Sequence, residues 1–197
     1  MKVLIVVDMI KAFALRGLEE GSLFFDDAEK IVPFVVNKVN EYLEKGWHII
    51  FLCDWHAKDD KEFERFPKHA VINTVAAELI DELKHALAAE NVVLIPKTRF
   101  SGFYHTDLNQ YIEAQYLKDA TFEFVGVCTG ICVSDTITDL ANRDMKTAVY
   151  RKGVADLPAI AYLGADSVDI EGGDTFPTVL EDIWLNRMKF LYGTKIL

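Results

Sequence analysis

The sequence has few cysteines, few basic residues and no long hydrophobic run, and each shortage removes a class of protein. Its three cysteines, Cys53, Cys128 and Cys132, are too few for a disulfide framework. Cys128 and Cys132 are four positions apart, so they do not form a Cys-x-x-Cys redox pair. Lysine and arginine total 21 against 31 acidic residues, which gives a net charge of −10. This acidity argues against nucleic acid or an anionic membrane surface as a partner.

The first hydrophobic run covers residues 3–7 and is cut by Asp8. A secretory signal needs about seven apolar residues and a membrane span about 20. No targeting segment is visible, so we expect a cytoplasmic protein. The sequence also shows no internal repeat and no low-complexity stretch. The 197 residues are 51% hydrophobic and 26% charged, the balance of a globular protein. We therefore expect a single domain over residues 1–197.

Short apolar runs alternate with helical patterns along the chain. Continuous β-branched runs predict buried strands, and apolar residues three or four apart predict helices. The predicted strands cover residues 3–7, 47–53, 92–95, 122–127 and 146–150. The predicted helices cover 26–45, 74–87, 107–116 and 158–171, followed by a break at 172–174 and a tail of helix and short strand. This alternation predicts an α/β fold whose parallel sheet is covered on both faces.

Chemically useful side chains follow four of the predicted strands. Asp8 follows the first strand, Asp54 and His56 the second, Lys97 the third and Cys132 the fourth. Because the carboxyl ends of parallel strands meet at one edge, we expect these side chains to share a site. Each has an ordinary alternative: Asp8 as a turn residue, Lys97 as a surface cation, Cys132 as a small buried hydrophobe. One shared site explains all four placements better than four coincidences.

Cys132 lies where the fourth predicted strand turns into a helix. Thr129 is the predicted N-cap of that helix, with its hydroxyl accepting from a backbone N–H near Cys132. Free N–H groups and the helix dipole favour an anion at such a turn. We therefore expect the pKa of the Cys132 thiol to be lowered, which favours the thiolate form. The same N–H groups could hold an oxyanion.

The segment after the second predicted strand could hold a metal ion. Asp54 and His56 are two positions apart, so their side chains share a face of an extended chain. His69 follows a Phe66-Pro67 turn in the same segment. Such oxygen and nitrogen ligands suit zinc but also manganese or iron. The alternative is a solvated loop whose histidines make local hydrogen bonds.

Taken together, these motifs resemble the nicotinamidase branch of the isochorismatase-like cysteine hydrolases, along nearly the whole chain. The motifs that carry the resemblance are, in chain order, Asp8 with Phe13 five positions on, Asp54-Trp-His56, Phe66-Pro-Lys-His69, Lys97-Thr-Arg-Phe-Ser-Gly-Phe103 and Gly126-Val-Cys-Thr-Gly-Ile-Cys132-Val. The resemblance implies a three-layer αβα fold of the isochorismatase-like kind. Its sheet would be doubly wound, mostly parallel and six-stranded.

The resemblance also implies a role for each matching residue. Cys132 would be the nucleophile, Asp8 the general acid/base and Lys97 the cation that holds the thiolate. Backbone N–H groups of Cys128 and Cys132 would form the oxyanion hole, next to a cis peptide between Val127 and Cys128. The remaining matches are Phe13, Phe66 and Phe103 in the substrate pocket, and Asp54, His56, His69 and, as in some members, Glu62 as metal ligands.

The activity that the resemblance implies is hydrolysis of nicotinamide to nicotinate and ammonia, as in NAD salvage. A thioester on Cys132 would be the intermediate. One divalent ion, zinc before manganese or iron, would orient the pyridine ring and assist the hydrolytic water. The implied partner is the small amide alone, without nucleic acid or membrane, and a homo-oligomer is left open. The chain departs from the family pattern at Ile10 and Ala12, in the expected entrance loop, and at Gly130, near the helix start.

Three other functions compete with this one. Amidases of the same superfamily that act on carbamoyl or ureido compounds keep Asp8, Lys97 and Cys132 but generally lack the metal ligands. An isochorismatase proper, which cleaves a vinyl ether, lacks the cysteine nucleophile. A noncatalytic binding protein on the same fold would have no need of these three residues. The metal-ligand motifs therefore favour a nicotinamidase.

Overall fold

The structure is a computed structural model that describes residues 1–158, 161–162 and 176–197. The strands in the described part are β1 (Lys2–Val7), β2 (His48–Asp54), β3 (Val92–Lys97), β4 (Thr121–Val127), β5 (Lys146–Ala155) and β6 (Lys195–Ile196). They form one sheet in the order β3-β2-β1-β4-β5-β6, and every neighbouring pair is parallel. The predicted six-stranded, doubly wound α/β sheet is confirmed.

Helices cover both faces of this sheet. The α-helices in the described residues are α1 (Lys11–Ala14), α2 (Asp26–Glu44), α3 (Leu108–Ala114), α4 (Ser134–Ala141) and α5 (Phe176–Tyr192). Three 3₁₀ helices cover Lys61–Glu64, Val75–Ala77 and Asp81–Ala88, and a π-helical turn covers Thr129–Val133. Across the described part of the chain, no helix combines the length and the apolar character needed to cross a membrane.

The core has two halves, because successive residues of a strand point to opposite faces. On β1, Leu4 and Val6 pack with the buried side of α2, whereas Val3, Ile5 and Val7 pack with α3, α4 and α5. All five side chains are fully buried, as expected for a central parallel strand. This packing on both faces fixes the position of the strand ends, where the polar residues lie.

Two predicted elements differ from the structure, and a third lies outside the described residues. Residues 74–87 form two 3₁₀ helices instead of one α-helix, because residues 79–80 pair with the chain after β1: Leu79 bridges Ile10, and the Ile80 N–H donates to the Met9 carbonyl. Strand β5 continues to Ala155 past an irregularity in its pairing with β4. Most of the predicted helix 158–171 and the whole predicted break at 172–174 are not described.

Candidate active site

Asp8, Lys97 and Cys132 form one buried cluster at the carboxyl edge of the sheet. The Lys97 ammonium lies 3.4 Å from Cys132 Sγ and 2.8 Å from Asp8 Oδ2, the latter as an ion pair rather than a directed hydrogen bond. It also donates a hydrogen bond to Asp54 Oδ1. Asp8 Oδ1 accepts from the Asp54 backbone N–H at 2.8 Å, which fixes the carboxylate between strands β1 and β2. The predicted convergence of these three side chains is therefore present.

The electrostatics of this cluster favour a neutral thiol at rest. Burial, followed by the charges of Asp8 and Asp54, raises the pKa of Cys132 well above its usual value, although Lys97 opposes this. Our expectation that the helix start would push Cys132 toward the thiolate was therefore wrong. Burial and the nearby Asp54 charge also raise the pKa of Asp8 to about 6. A carboxylate with that pKa is suited to accept a thiol proton near neutral pH.

The turn that carries Cys132 is built differently from the prediction. The peptide between Val127 and Cys128 is cis, as the resemblance implied. Cys128, not Thr129, is the cap of the π-helical turn, and its carbonyl accepts from the N–H groups of Ile131 and Val133. The Thr129 hydroxyl donates instead to Glu181 on α5, at 3.1 Å. Thr129 therefore links the turn to α5 and does not cap the helix.

Asp54, His56 and His69 have the arrangement of a metal site. Their candidate ligand atoms all lie within 4.8 Å of one another, and Asp54 Oδ2 is 3.7 Å from Nε2 of each histidine. Two ligands of a tetrahedral zinc ion are about 3.4 Å apart, so these spacings fit. His69 Nδ1 bonds the Pro67 carbonyl at 2.8 Å, which leaves Nε2 to face Asp54. His56 Nε2 is buried without a hydrogen-bond partner among the described residues, as an open ligand would be.

Two acidic residues complete this cluster, one expected and one missed. Glu62 is buried beside the histidines, with Oε1 3.9 Å from His56 Nε2 and 4.0 Å from His69 Nε2. Burial and the charge of Asp54 raise the pKa of Glu62. The sequence analysis missed Asp60, whose Oδ2 lies 3.2 Å from His56 Nδ1. A carboxylate in this position is a usual outer partner of an imidazole that ligates a metal. The position of Asp60 four residues after His56 was the available signal.

Aromatic side chains line a cavity of about 630 Å³ in front of Cys132. Phe13 and Phe66 are in its wall, and the Phe13 ring lies edge-on to His69, with centroids 5.7 Å apart. Phe103 does not line this cavity, contrary to expectation: the Arg143 guanidinium lies 4.2 Å from the centre of its ring. Phe100 takes that place, with its ring 6.0 Å from Phe66. It lies in the quoted motif, three positions after Lys97.

The three departures from the family pattern have structural explanations. Ile10 and Ala12 are fully buried, so they belong to the core and not to an entrance loop. Ala12 nevertheless supports the cavity wall, because its carbonyl accepts a hydrogen bond from the N–H of Leu23, which lines the cavity. At position 130 a side chain would overlap the Trp184 indole. Glycine is therefore required while Trp184 covers the turn.

Buried carboxylate, ammonium and thiol groups at the strand ends of a doubly wound sheet define an α/β protein with the groups of a cysteine hydrolase. The isochorismatase domain matches residues 2–163, and the chain belongs to the isochorismatase family. The nicotinamidase of Saccharomyces cerevisiae is 25% identical to it over 204 residues, which cover 81% of this chain and 92% of that protein.

Other relatives show how wide the family is. The ureidoacrylate amidohydrolase RutB of Stutzerimonas stutzeri is 27% identical over 161 residues, which cover 69% of this chain and 62% of that protein. The crystal structure of the pyrazinamidase of Pyrococcus horikoshii in complex with zinc is 28% identical, with a TM-score of 0.75 and coverage of 100% and 98% of the two chains. These relatives support an amide-hydrolysing enzyme as the broad class.

Proposed function

We propose that this protein is a nicotinamidase, which hydrolyses nicotinamide to nicotinate and ammonia. One observation carries the proposal: Asp8 and Cys132 from the first cluster and Asp54 and His69 from the second line the same aromatic cavity, with Lys97 and His56 buried behind them. A flat, apolar ring with one amide and one ring nitrogen matches this combination. The similarity to nicotinamidases and to a zinc-bound pyrazinamidase supports it.

The first half of the reaction is acyl transfer to Cys132. Asp8 accepts the thiol proton, and the sulfur attacks the amide carbon of the substrate. Lys97 stabilises the negative charge on the sulfur, and the backbone N–H groups of Cys128 and Cys132 hold the oxyanion. Each oxyanion donor is worth about 3–4 kcal/mol in comparable sites. Asp8 then returns its proton to the leaving nitrogen, so ammonia departs and a thioester remains.

The second half hydrolyses that thioester. Asp8, again ionised, takes a proton from the attacking water, and the same two backbone N–H groups hold the second oxyanion. The proton returns to the departing sulfur through Asp8, which releases nicotinate and restores the Cys132 thiol. One carboxylate with a pKa of about 6 can therefore serve both as base and as acid.

Asp54, His56 and His69, with Glu62 behind them, would hold one divalent ion, zinc before manganese or iron. When bound, that ion supplies a Lewis acid for the ring nitrogen, which fixes the orientation of the amide. Asp60 and the Pro67 carbonyl orient the two imidazoles toward it through their Nδ1 atoms. The aromatic side chains Phe13, Phe66 and Phe100 provide the apolar walls for the ring.

The test is ammonia release from nicotinamide by the wild-type protein and by Cys132→Ala. We expect the variant to lose at least about 10³-fold in rate, since no other group in the mechanism can form the acyl intermediate. Cys53→Ala is the matched control, because Cys53 is also a buried thiol but lies within β2. Ammonia release by Cys132→Ala near the wild-type rate would refute the covalent scheme.

A second candidate is an amidase for ureido or carbamoyl acids, and one residue favours it. The Arg65 side chain is exposed and lines the cavity next to Phe66, so it could pair with a substrate carboxylate. Nicotinamide has no carboxylate. A panel of nicotinamide, pyrazinamide and ureido acids separates the two candidates. The ureido candidate requires Arg65→Gln to lower kcat/KM for the acids about tenfold or more without affecting nicotinamide.

A further inference from the structure

Asp156 connects the turn of Cys132 to the opposite wall of the cavity. It directly follows β5 and is only 9% exposed. Its Oδ2 accepts from the Gly130 backbone N–H at 2.9 Å. Its Oδ1 accepts from the Leu157 backbone N–H at 2.8 Å and from the Tyr162 hydroxyl at 2.5 Å. One carboxylate therefore holds both the 129–133 turn and the start of the segment after β5.

We propose that Asp156 is a positioning residue that sets the location of Cys132 through the Gly130 amide. The proposal rests on the function given above, because it assigns Asp156 to the same reaction. Gly130 precedes Cys132 by two positions in the π-helical turn, so the orientation of its peptide group constrains where Sγ and the Cys132 N–H point. Displacements of about 1 Å in a catalytic group can cost about 100-fold in rate.

The surroundings of Gly130 hold the turn at further points. The Trp184 indole occupies the space that a side chain at position 130 would fill, so the turn is covered on that side. Thr129 is held by Glu181 on α5, and Asp156 holds the next amide. When ionised, Asp156 is a charged acceptor, and hydrogen bonds to charged acceptors are about twice as strong as neutral ones. The turn is therefore fixed at two successive residues by two acidic side chains.

The same carboxylate also reaches the substrate side of the cavity. The cavity wall on this side is formed by Leu157, Pro158 and Ala161. The hydroxyl of the next residue, Tyr162, donates a hydrogen bond to Asp156. On the other side, Ile131 and Cys132 from the turn line the same cavity. Asp156 therefore sets the spacing between a wall that contacts substrate and the sulfur that attacks it.

Asp156→Asn tests the positioning role with little change in volume. Asparagine has one acceptor oxygen and adds an N–H₂ group, so at least one of the three donors loses its partner. We expect kcat for nicotinamide to fall about 10- to 100-fold, a larger effect than any rise in KM. Asp156→Glu keeps the charge, and we expect it to recover part of the lost kcat. Wild-type kcat in Asp156→Asn would overturn the proposal.

Two comparison variants separate positioning from general stability. Tyr162→Phe removes only the bond to the cavity wall, so we expect KM to rise severalfold while kcat stays near the wild-type value. Glu123→Gln alters another buried carboxylate, which accepts from the hydroxyls of Tyr42 and Tyr150 in the middle of the sheet. We expect it to lower Tm and to leave kcat and KM unchanged. Equal loss of kcat in Glu123→Gln and Asp156→Asn would refute a specific role for Asp156.

A second readout does not depend on the substrate. Alkylation of Cys132 by iodoacetamide, followed by peptide mass spectrometry, reports the placement of the thiol beside Asp8 and Lys97. We expect alkylation to slow about tenfold or more in Asp156→Asn and to stay unchanged in Glu123→Gln. If the wild-type protein fails to hydrolyse nicotinamide, the proposed function fails, yet this measurement still decides the role of Asp156. An unchanged alkylation rate in a folded Asp156→Asn would overturn it.

Discussion

The Lys97 ammonium lies 3.4 Å from Cys132 Sγ, although 35 positions separate the two residues along the chain. It is fully buried and also contacts the carboxylates of Asp8 and Asp54. Burial alone would lower the pKa of Lys97, but the charges of Asp54 and Asp8 raise it well above its usual value. Lys97 is therefore a fixed cation, and the two carboxylates can be buried close together only because it lies between them.

Lys97→Met tests this dependence. The substitution leaves two buried carboxylates without their counter-ion, and breaking a buried pair costs about 3–5 kcal/mol in the free energy of unfolding. We expect a loss of that size by urea denaturation, together with loss of ammonia release. Adding Asp8→Asn removes one of the uncompensated charges, so the double variant is expected to regain part of the stability but no activity. Additive losses in the double variant would contradict the electrostatic account.

The strand ends of this site were predictable from sequence because each signal is local. A buried apolar run followed by Asp8, Lys97 or the Cys132 turn marks one strand end, and the geometry of parallel sheets brings such ends together. Contacts across the fold gave no local signal. Thr129 is a good cap by composition, yet its partner Glu181 is 52 positions away. The pKa of Cys132 depends on burial, which residue order does not reveal.

The metal site makes a prediction that does not involve activity. We expect the wild-type protein to bind about one zinc ion per chain in equilibrium dialysis, with metal content measured by mass spectrometry. His69→Asn removes one ligand and should weaken binding by more than about 100-fold, since outer partners alone account for 10- to 100-fold. His85→Asn is the control, because His85 bonds to Asn40 on the exposed surface. Equal zinc binding by both variants would exclude His69 as a ligand.

Gly126 is predicted to be required for the close approach of β4 to β1. Its φ is +113°, and a Cβ at this position would overlap the backbone of Val7. Gly126→Ala should therefore lower the free energy of unfolding by about 3 kcal/mol or more, from strain and overlap together. Gly46→Ala is the matched control: its φ is +62°, but among the described residues no atom lies within 4 Å of the added Cβ. We expect it to cost only about 1 kcal/mol in thermal or urea unfolding.

Glu181 should make stability depend on pH. Burial, opposed by the Thr129 hydroxyl and reinforced by the charge of Asp156, raises its pKa from 4.5 to about 7. Between pH 4.5 and 7 the folded state holds this proton and the unfolded chain has released it. The contribution of Glu181 to stability is therefore fully present below pH 4.5 and is lost as the pH rises to 7, above which it no longer changes.

Glu181→Gln removes that ionisation while keeping the shape of the side chain and an acceptor for Thr129. We expect the variant to gain stability over the wild-type protein as the pH rises from 4.5 to 8, by about 1–2 kcal/mol after allowance for partial solvent screening. Urea denaturation of both proteins across this range measures the difference. A difference that stays constant with pH would show that Glu181 is ionised in the folded state throughout, and that the Thr129 hydroxyl and nearby Arg151 outweigh burial.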